Sequence, residues 1–132
     1  MILVDSSVWI DYFNGVPTWQ TDLLDTVLSD TLVIMGDLIL AEVLQGFKSN
    51  KDYETAKHLL SALPFRRIGG YQVAVQSAQN YRSMRKAGVT VRKTIDVIIA
   101  TYCIMTNLTL LHDDRDFDPM VSRLGLKTAK GV

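Results

Sequence analysis

Carboxylates stand at four places along this 132-residue chain where the surrounding sequence is apolar. Asp5 ends the run ILVD, Glu42 lies inside LILAEVLQGF, and Asp96 opens TIDVIIA. In LLHDDRDFDP an apolar run stops at His112, and Asp113, Asp114, Asp116 and Asp118 follow at once. Carboxylates brought close together push one another's pKa upward unless they share protons or bind a cation. Four or five exceed what a proton-sharing pair requires, whereas a hard divalent ion takes oxygen ligands of this kind. Mg²⁺ accepts one or two direct carboxylates and keeps water, so the surplus implies two ions or acids in supporting positions. Zinc is disfavoured, because His58, His112 and the single cysteine Cys103 have no ligand-like spacing.

Such a site suits phosphodiester or phosphomonoester hydrolysis. One ion makes a bound water acidic and a second stabilises the leaving oxygen, so no nucleophilic serine or cysteine is needed. The chain contains neither GxGxxG nor GxxxxGK followed by Ser or Thr. P-loop nucleotide hydrolases and dinucleotide-dependent dehydrogenases are therefore poor candidates.

These acids can act together only if the elements around them converge. ILVD (2–5) lacks alternation and suits a strand covered on both faces. Ser6 or Ser7 then caps a short helix, VWIDYF, ending at Asn14-Gly15. Pro17 suits a first helical turn, with Trp19, Leu23, Leu24, Val27 and Leu28 at helical spacing after it. LVIM (32–35) reads as a second strand, and Gly36-Asp37 opens the helix LILAEVLQGF. A helix over 52–62 stops at Pro64, and FRRI (65–68) is a third strand. Residues 71–87 form a longer helix ending at Gly88, and 95–106 a central one, apolar almost all round. TLLH (109–112) is the last strand and 117–124 a closing helix.

Strands alternating with helices imply an α/β fold with a mostly parallel sheet covered on both faces. Ligand crevices in such sheets lie beyond the carboxyl ends of the strands. Asp5 and the 113–116 acids fall at that edge, and Asp96 reaches it if its helix starts there. Each acid alone also has a structural use. Asp5 and one aspartate of 113–118 could cap helices, another could form an Asx turn, Asp96 could face a helix dipole, and Glu42 could share a solvated stripe with Gln45. Separate structural uses do not explain the shared edge.

The formal net charge is zero, so no global basic field marks a nucleic-acid binder. The densest basic stretch, Arg82, Arg85, Lys86, Arg92 and Lys93, leads to Asp96. It suits phosphate contacts, or equally a solvated helix end. Arg115 stands among the acids as a local counter-charge. Trp9, Tyr12 and Phe13 suit either core packing or an apolar contact with a partner. Cys103 lies in an apolar run and is expected to be buried. The chain reads as a single domain over 1–132, without linker or repeat. Its most apolar window, 95–111, is too short to span a membrane and carries Asp96 and Asn107. With no leader-like start and no disulfide, the expected location is cytoplasmic.

VDSSVWIDYF, ILAEVLQGF, TIDVIIA and LLHDDRDF, in that order over nearly the whole chain, resemble the four signature segments of PIN-domain ribonucleases. Among these, the fit is to VapC-type toxins of bacterial toxin–antitoxin pairs. The resemblance implies a three-layer α/β/α PIN-like domain. It implies an endoribonuclease that uses Mg²⁺ or Mn²⁺, one or two ions, on single-stranded or looped RNA. It also implies restraint by a small VapB-like antitoxin and frequent homodimerisation.

The family pattern falls on Asp5, Glu42, Asp96, Asp114 and Asp116 as catalytic, metal-holding acids, with Asp113 at a variable position. In that pattern Asp5, Asp96 and Asp114 or Asp116 ligate metal, and Glu42 orients water or a second ion. Ser7 matches a small hydroxyl residue that supports the first acid. His112 stands where the family commonly has threonine, which alters how water or substrate is positioned.

Other readings remain open. One is a PIN-type housekeeping ribonuclease that is not a toxin. A haloacid-dehalogenase-type phosphatase wants a second aspartate where Ser7 stands, and a receiver domain wants a lysine after a late strand. A module that only binds cations or peptides would turn over nothing.

Overall fold

Three of the four strands are short and largely buried, as unalternating apolar runs require when helices cover both sheet faces, while the two-residue edge strand Phe65–Arg66 is exposed. The structure is a computed structural model and describes residues 1–30 and 32–131; Thr31 and Val132, which the single-domain reading includes, lie outside the described residues. The elements run β1 (Ile2–Val4), α1 (Ser6–Phe13), α2 (Trp19–Asp30), β2 (Val33–Gly36), α3 (Asp37–Gln45) and α4 (Asn50–Leu60). There follow β3 (Phe65–Arg66), α5 (Tyr71–Lys86), α6 (Thr94–Thr106), β4 (Thr109–Leu111), a 3₁₀ turn (Arg115–Phe117) and α7 (Asp118–Leu124).

The sheet has four strands in the order β3-β2-β1-β4, and every pairing is parallel. Ile2 to Val4 pair with Thr109 to Leu111 on one side, and Ile2 and Leu3 with Val33 and Ile34 on the other. From β1 the chain steps outward to β2 and β3, then returns past β1 to β4. Right-handed crossovers place α1 to α4 on one face and α5 and α6 on the other. The helix contacts agree: α1 meets α2 and α3, α3 meets α4, and α5, α6 and α7 pack on one another. The strand order thus reverses between β1 and β4, which is where open α/β sheets form their crevice.

Leu3, Val4, Ile34, Met35, Leu110 and Leu111 from the strands join Ile39, Val97, Ile99, Cys103 and Phe117 in one buried core. No helix among the described residues is long and apolar enough to cross a membrane.

Several local expectations change. Asp5, not Ser6 or Ser7, caps α1, because it sits in extended backbone and its carboxylate accepts from the Ser7 N–H. Pro17 precedes α2 rather than entering it, and β2 starts at Val33. The strand expected over 65–68 keeps only Phe65 and Arg66. Beyond them the Ile68 N–H leaves the ladder and donates to the Asp37 carboxylate at 2.9 Å. The closing helix splits into the 3₁₀ turn and α7, with Pro119 in the first turn of α7. The tail after α7 runs beside β4: Leu110 N–H donates to Lys127 O and Ala129 N–H to Leu110 O, each at 2.9 Å.

Candidate metal centre

Asp5 leaves β1 directly into α1, and that position buries it to 3% exposure. Its Oδ2 accepts from the Ser7 hydroxyl at 2.7 Å and from the Ser7 N–H at 3.1 Å. Its Oδ1 is buried with no hydrogen-bond partner. The Ser7 hydroxyl in turn accepts from the Asp113 N–H at 3.0 Å. One side chain therefore ties the end of β1 to the loop after β4.

That loop is shaped by its own polar groups. Asp114 N–H donates to His112 Nδ1 at 3.2 Å, and the His112 ring packs on Phe117 at 4.9 Å between centroids. Asp114 Oδ1 then accepts from the Asp116 N–H at 2.9 Å, opening the 3₁₀ turn. Gln20 Nε2 holds the His112 carbonyl at 3.5 Å. His112 therefore positions the loop, and its Nδ1 is occupied. Asp113 brings its backbone to Ser7 and leaves its side chain exposed.

Asp96 enters from the first turn of α6, which begins at the same edge. It is 3% exposed, and its Oδ2 has no hydrogen-bond donor. Carboxylate oxygens of Asp96, Asp114 and Asp116 lie within 4.8 Å of one another. Asp5 and Glu42 stand outside that trio but within its field. Glu42, half-buried on α3, accepts from the Ser6 hydroxyl at 3.2 Å through Oε1.

Burial first, then neighbouring negative charge, disfavours ionisation here. Burial raises the Asp5 carboxyl above its ordinary value against the Ser7 hydrogen bonds, and Asp114 raises it further. Burial and then Asp5 raise Glu42. Asp96 is pushed up to about 6 by burial, with Lys93 opposing and Asp5, Asp114 and Glu42 adding to the rise. Acids so placed gain from a cation. The donor set is hard oxygen, two buried carboxylate oxygens lack donors, and three converge, so the residues fit a divalent ion such as Mg²⁺ or Mn²⁺.

The basic stretch divides. Arg92 and Lys93 line a cleft of about 970 Å³ together with Asp113, Asp114, Arg115 and Asp116. Lys93 Nζ lies 3.4 Å from Asp114 Oδ2 and 3.6 Å from Asp96 Oδ2. Arg82, Arg85 and Lys86 are exposed on α5 and do not line this cleft. Arg85 stacks over Tyr81 at 5.7 Å, and Arg82 borders an apolar groove between α5 and α6 that holds no carboxylate. Trp9 is in the core, with Tyr12 and Phe13 half-buried beside it and Phe47 against Phe13.

Two features escaped the sequence reading. The sequence offers Ser6 only as a possible cap, and Lys93 as a phosphate contact or part of a solvated helix end. The adjacency of two hydroxyls to Asp5 was a signal for Ser6. The lysine three residues before Asp96 was the signal for the ion pair.

The PIN-domain family model matches residues 2–120. Ribonuclease VapC11 of Mycobacterium tuberculosis is 30% identical over 131 residues, which cover 98% of each chain. Among solved structures, VapBC2 from Rickettsia felis, bound to a DNA fragment from its promoter, superposes with a TM-score of 0.77 at 16% identity over 98% of each chain. DNA-bound VapBC from Salmonella typhimurium gives 0.76 at 17% identity over 97% of this chain and 96% of that one. The matched residues run from β1 through the acidic loop, and the identity to the ribonuclease extends over almost the entire length, so this chain belongs to the PIN-domain family, among its VapC-type members.

Proposed function

We propose that this protein is a divalent-metal-dependent endoribonuclease and the toxin of a VapBC-type pair, a single PIN-like domain over 1–132 acting in the cytoplasm. The observation that carries this reading is the convergence of Asp96, Asp114 and Asp116 at the β1/β4 reversal, in a chain 30% identical to a VapC ribonuclease. Asp5, Asp96, Asp114 and Asp116 would hold Mg²⁺ or Mn²⁺. When bound, the ion lowers the pKa of a water and offsets charge on the phosphoryl oxygens.

The remaining work falls to the chain. Ser7 fixes Asp5 and the Asp113 backbone together, so the acids of two strand ends keep one spacing. Ser6 holds Glu42 by Oε1 and leaves its other oxygen to accept from the attacking water. His112 sets the loop that carries Asp114 and Asp116. Arg92, Lys93 and Arg115 line the cleft along which an RNA backbone would lie, while Arg82, Arg85 and Lys86 would serve only a longer RNA path. RNA substrate, a small VapB-like antitoxin and a second copy of the chain are the expected partners. The likeness of the fold to the VapBC structures from R. felis and S. typhimurium supports the antitoxin.

The test is Asp96→Asn, which keeps the shape and removes the charge. Cleavage of a single-stranded RNA should require Mg²⁺ or Mn²⁺ and fall at least ~100-fold in the variant, in line with loss of a metal-site group. A variant cutting RNA at the wild-type rate would refute the site. Metal-dependent turnover of a small phosphomonoester instead of RNA would favour the phosphatase reading.

A further inference from the structure

Lys93 is the last residue before α6 and one turn ahead of Asp96. Its side chain is 50% exposed, whereas that of Asp96 is 4% exposed and that of Asp114 26%. The ammonium reaches inward along a flexible stem and rests on one oxygen from each of two acids in the converging trio. No hydrogen-bond donor satisfies Asp96 Oδ2, and among the described residues its ion pair is with the Lys93 ammonium at 3.6 Å. A divalent ion held by those oxygens would meet the ammonium at close range, and like charges at such a distance repel. Asp96 is locked into α6 and the core, while the lysine head can withdraw into solvent with little lost packing. It would withdraw into the cleft that Arg92 and Arg115 also line.

Resting on the metal-site reading above, we propose that Lys93 is an exchangeable internal counter-charge: it neutralises Asp96 and Asp114 until a divalent ion takes their oxygens, and the displaced ammonium then grips an RNA phosphate. Metal binding and RNA binding are thereby coupled through one side chain. The ion binds against competition from the lysine, and RNA binds better once the lysine is free. An aspartate trio without Lys93 would take metal more readily and hold RNA less well.

The experiment uses the full chain, with Lys93→Met to remove the charge and keep the stem, and Lys93→Arg to retain the charge. Mn²⁺ affinity is measured by titration calorimetry on chelator-stripped protein whose circular dichroism matches wild type. Lys93→Met should bind Mn²⁺ about 5-fold more tightly, the worth of one ammonium–carboxylate attraction near 4 Å in water that the ion no longer has to displace, and Lys93→Arg should stay near wild type. RNA binding is measured by fluorescence anisotropy with saturating Mn²⁺ and a short single-stranded RNA, in a Glu42→Gln background that spares the RNA. There Lys93→Met should lower the slope of log affinity against log salt by about 0.7, one phosphate contact on a single strand.

Equal or weaker Mn²⁺ binding by Lys93→Met, or an unchanged salt slope, overturns the proposal. Asp96→Asn separates the two readings. If it binds Mn²⁺ like wild type, the metal site itself is wrong; if it loses Mn²⁺ while Lys93→Met gains nothing, only the role of Lys93 fails.

Discussion

Asp96 illustrates how a candidate metal-site acid opposes the fold that holds it. Its carboxyl is pushed from the ordinary 3.8 up to about 6, chiefly by burial, because the apolar surroundings that position it disfavour its charge. Between those values the unfolded chain has released its proton while the folded chain still binds it. The unfolded state then carries fewer protons, so stability declines as pH rises through this window. Burial raises Asp5 and Glu42 as well, with the same sign. In the presence of a chelator, the melting temperature should fall between about pH 4 and 6.5. The fall should be shallower in Asp96→Asn, which should also melt higher than wild type near neutral pH, as removal of strain from an active site commonly stabilises. A pH profile of thermal unfolding for both proteins checks this, and parallel curves would contradict it. The candidate acids were legible in the sequence because Asp5, Glu42 and Asp96 interrupt apolar runs and Asp114 and Asp116 closely follow one. The hold of Lys93 on Asp114 and of Ser6 on Glu42 was not, since those partners lie 21 and 36 positions away in the chain.

At the scale of elements, the site is a joint between two strand ends, and Ser7 is its rivet. Its hydroxyl donates to Asp5 and accepts from the Asp113 N–H, joining α1's first turn to the loop after β4. Ser7→Ala leaves a buried carboxylate with one fewer donor and the Asp113 amide without its partner. Each loss is expected to cost about 1 kcal/mol, and the loop should drift away from β1. Cleavage activity should drop roughly 10- to 100-fold, as for groups that orient metal ligands. Urea unfolding and RNA cleavage by the purified variant would check both, and Ser7→Thr should recover part of each. The elements were readable from periodicity, but their ends were not. FRRI looked like a longer strand, yet Asp37 captures the Ile68 amide and ends the ladder early. Asp5 took the cap from the serines because only it leaves the strand in extended backbone beside the first turn.

The whole molecule adds the order of strands and the closing of the sheet. A parallel four-stranded sheet leaves β4 exposed at one edge unless something covers it. Residues 127–129 do so, with two backbone hydrogen bonds to Leu110, and Lys127 Nζ reaches the Asn107 side chain at 2.8 Å. A chain ending at Leu126 should lose about 1–3 kcal/mol of stability in a urea melt, given the hydrogen bonds removed. It should also self-associate more at high concentration by light scattering. Unchanged stability would mean that the tail merely lies against the sheet.

Local chemistry determined what kind of site this chain builds: acids at the ends of apolar runs, glycines and prolines between elements, and a parallel α/β alternation can be read from neighbouring residues alone. The tertiary structure decided which acids meet and what holds them. That depends on β1 lying between β2 and β4, on α6 starting at the same edge, and on Lys93 reaching two acids 3 and 21 positions away. Pairings over such separations are settled by the packing of the whole core, to which no short stretch of sequence has access.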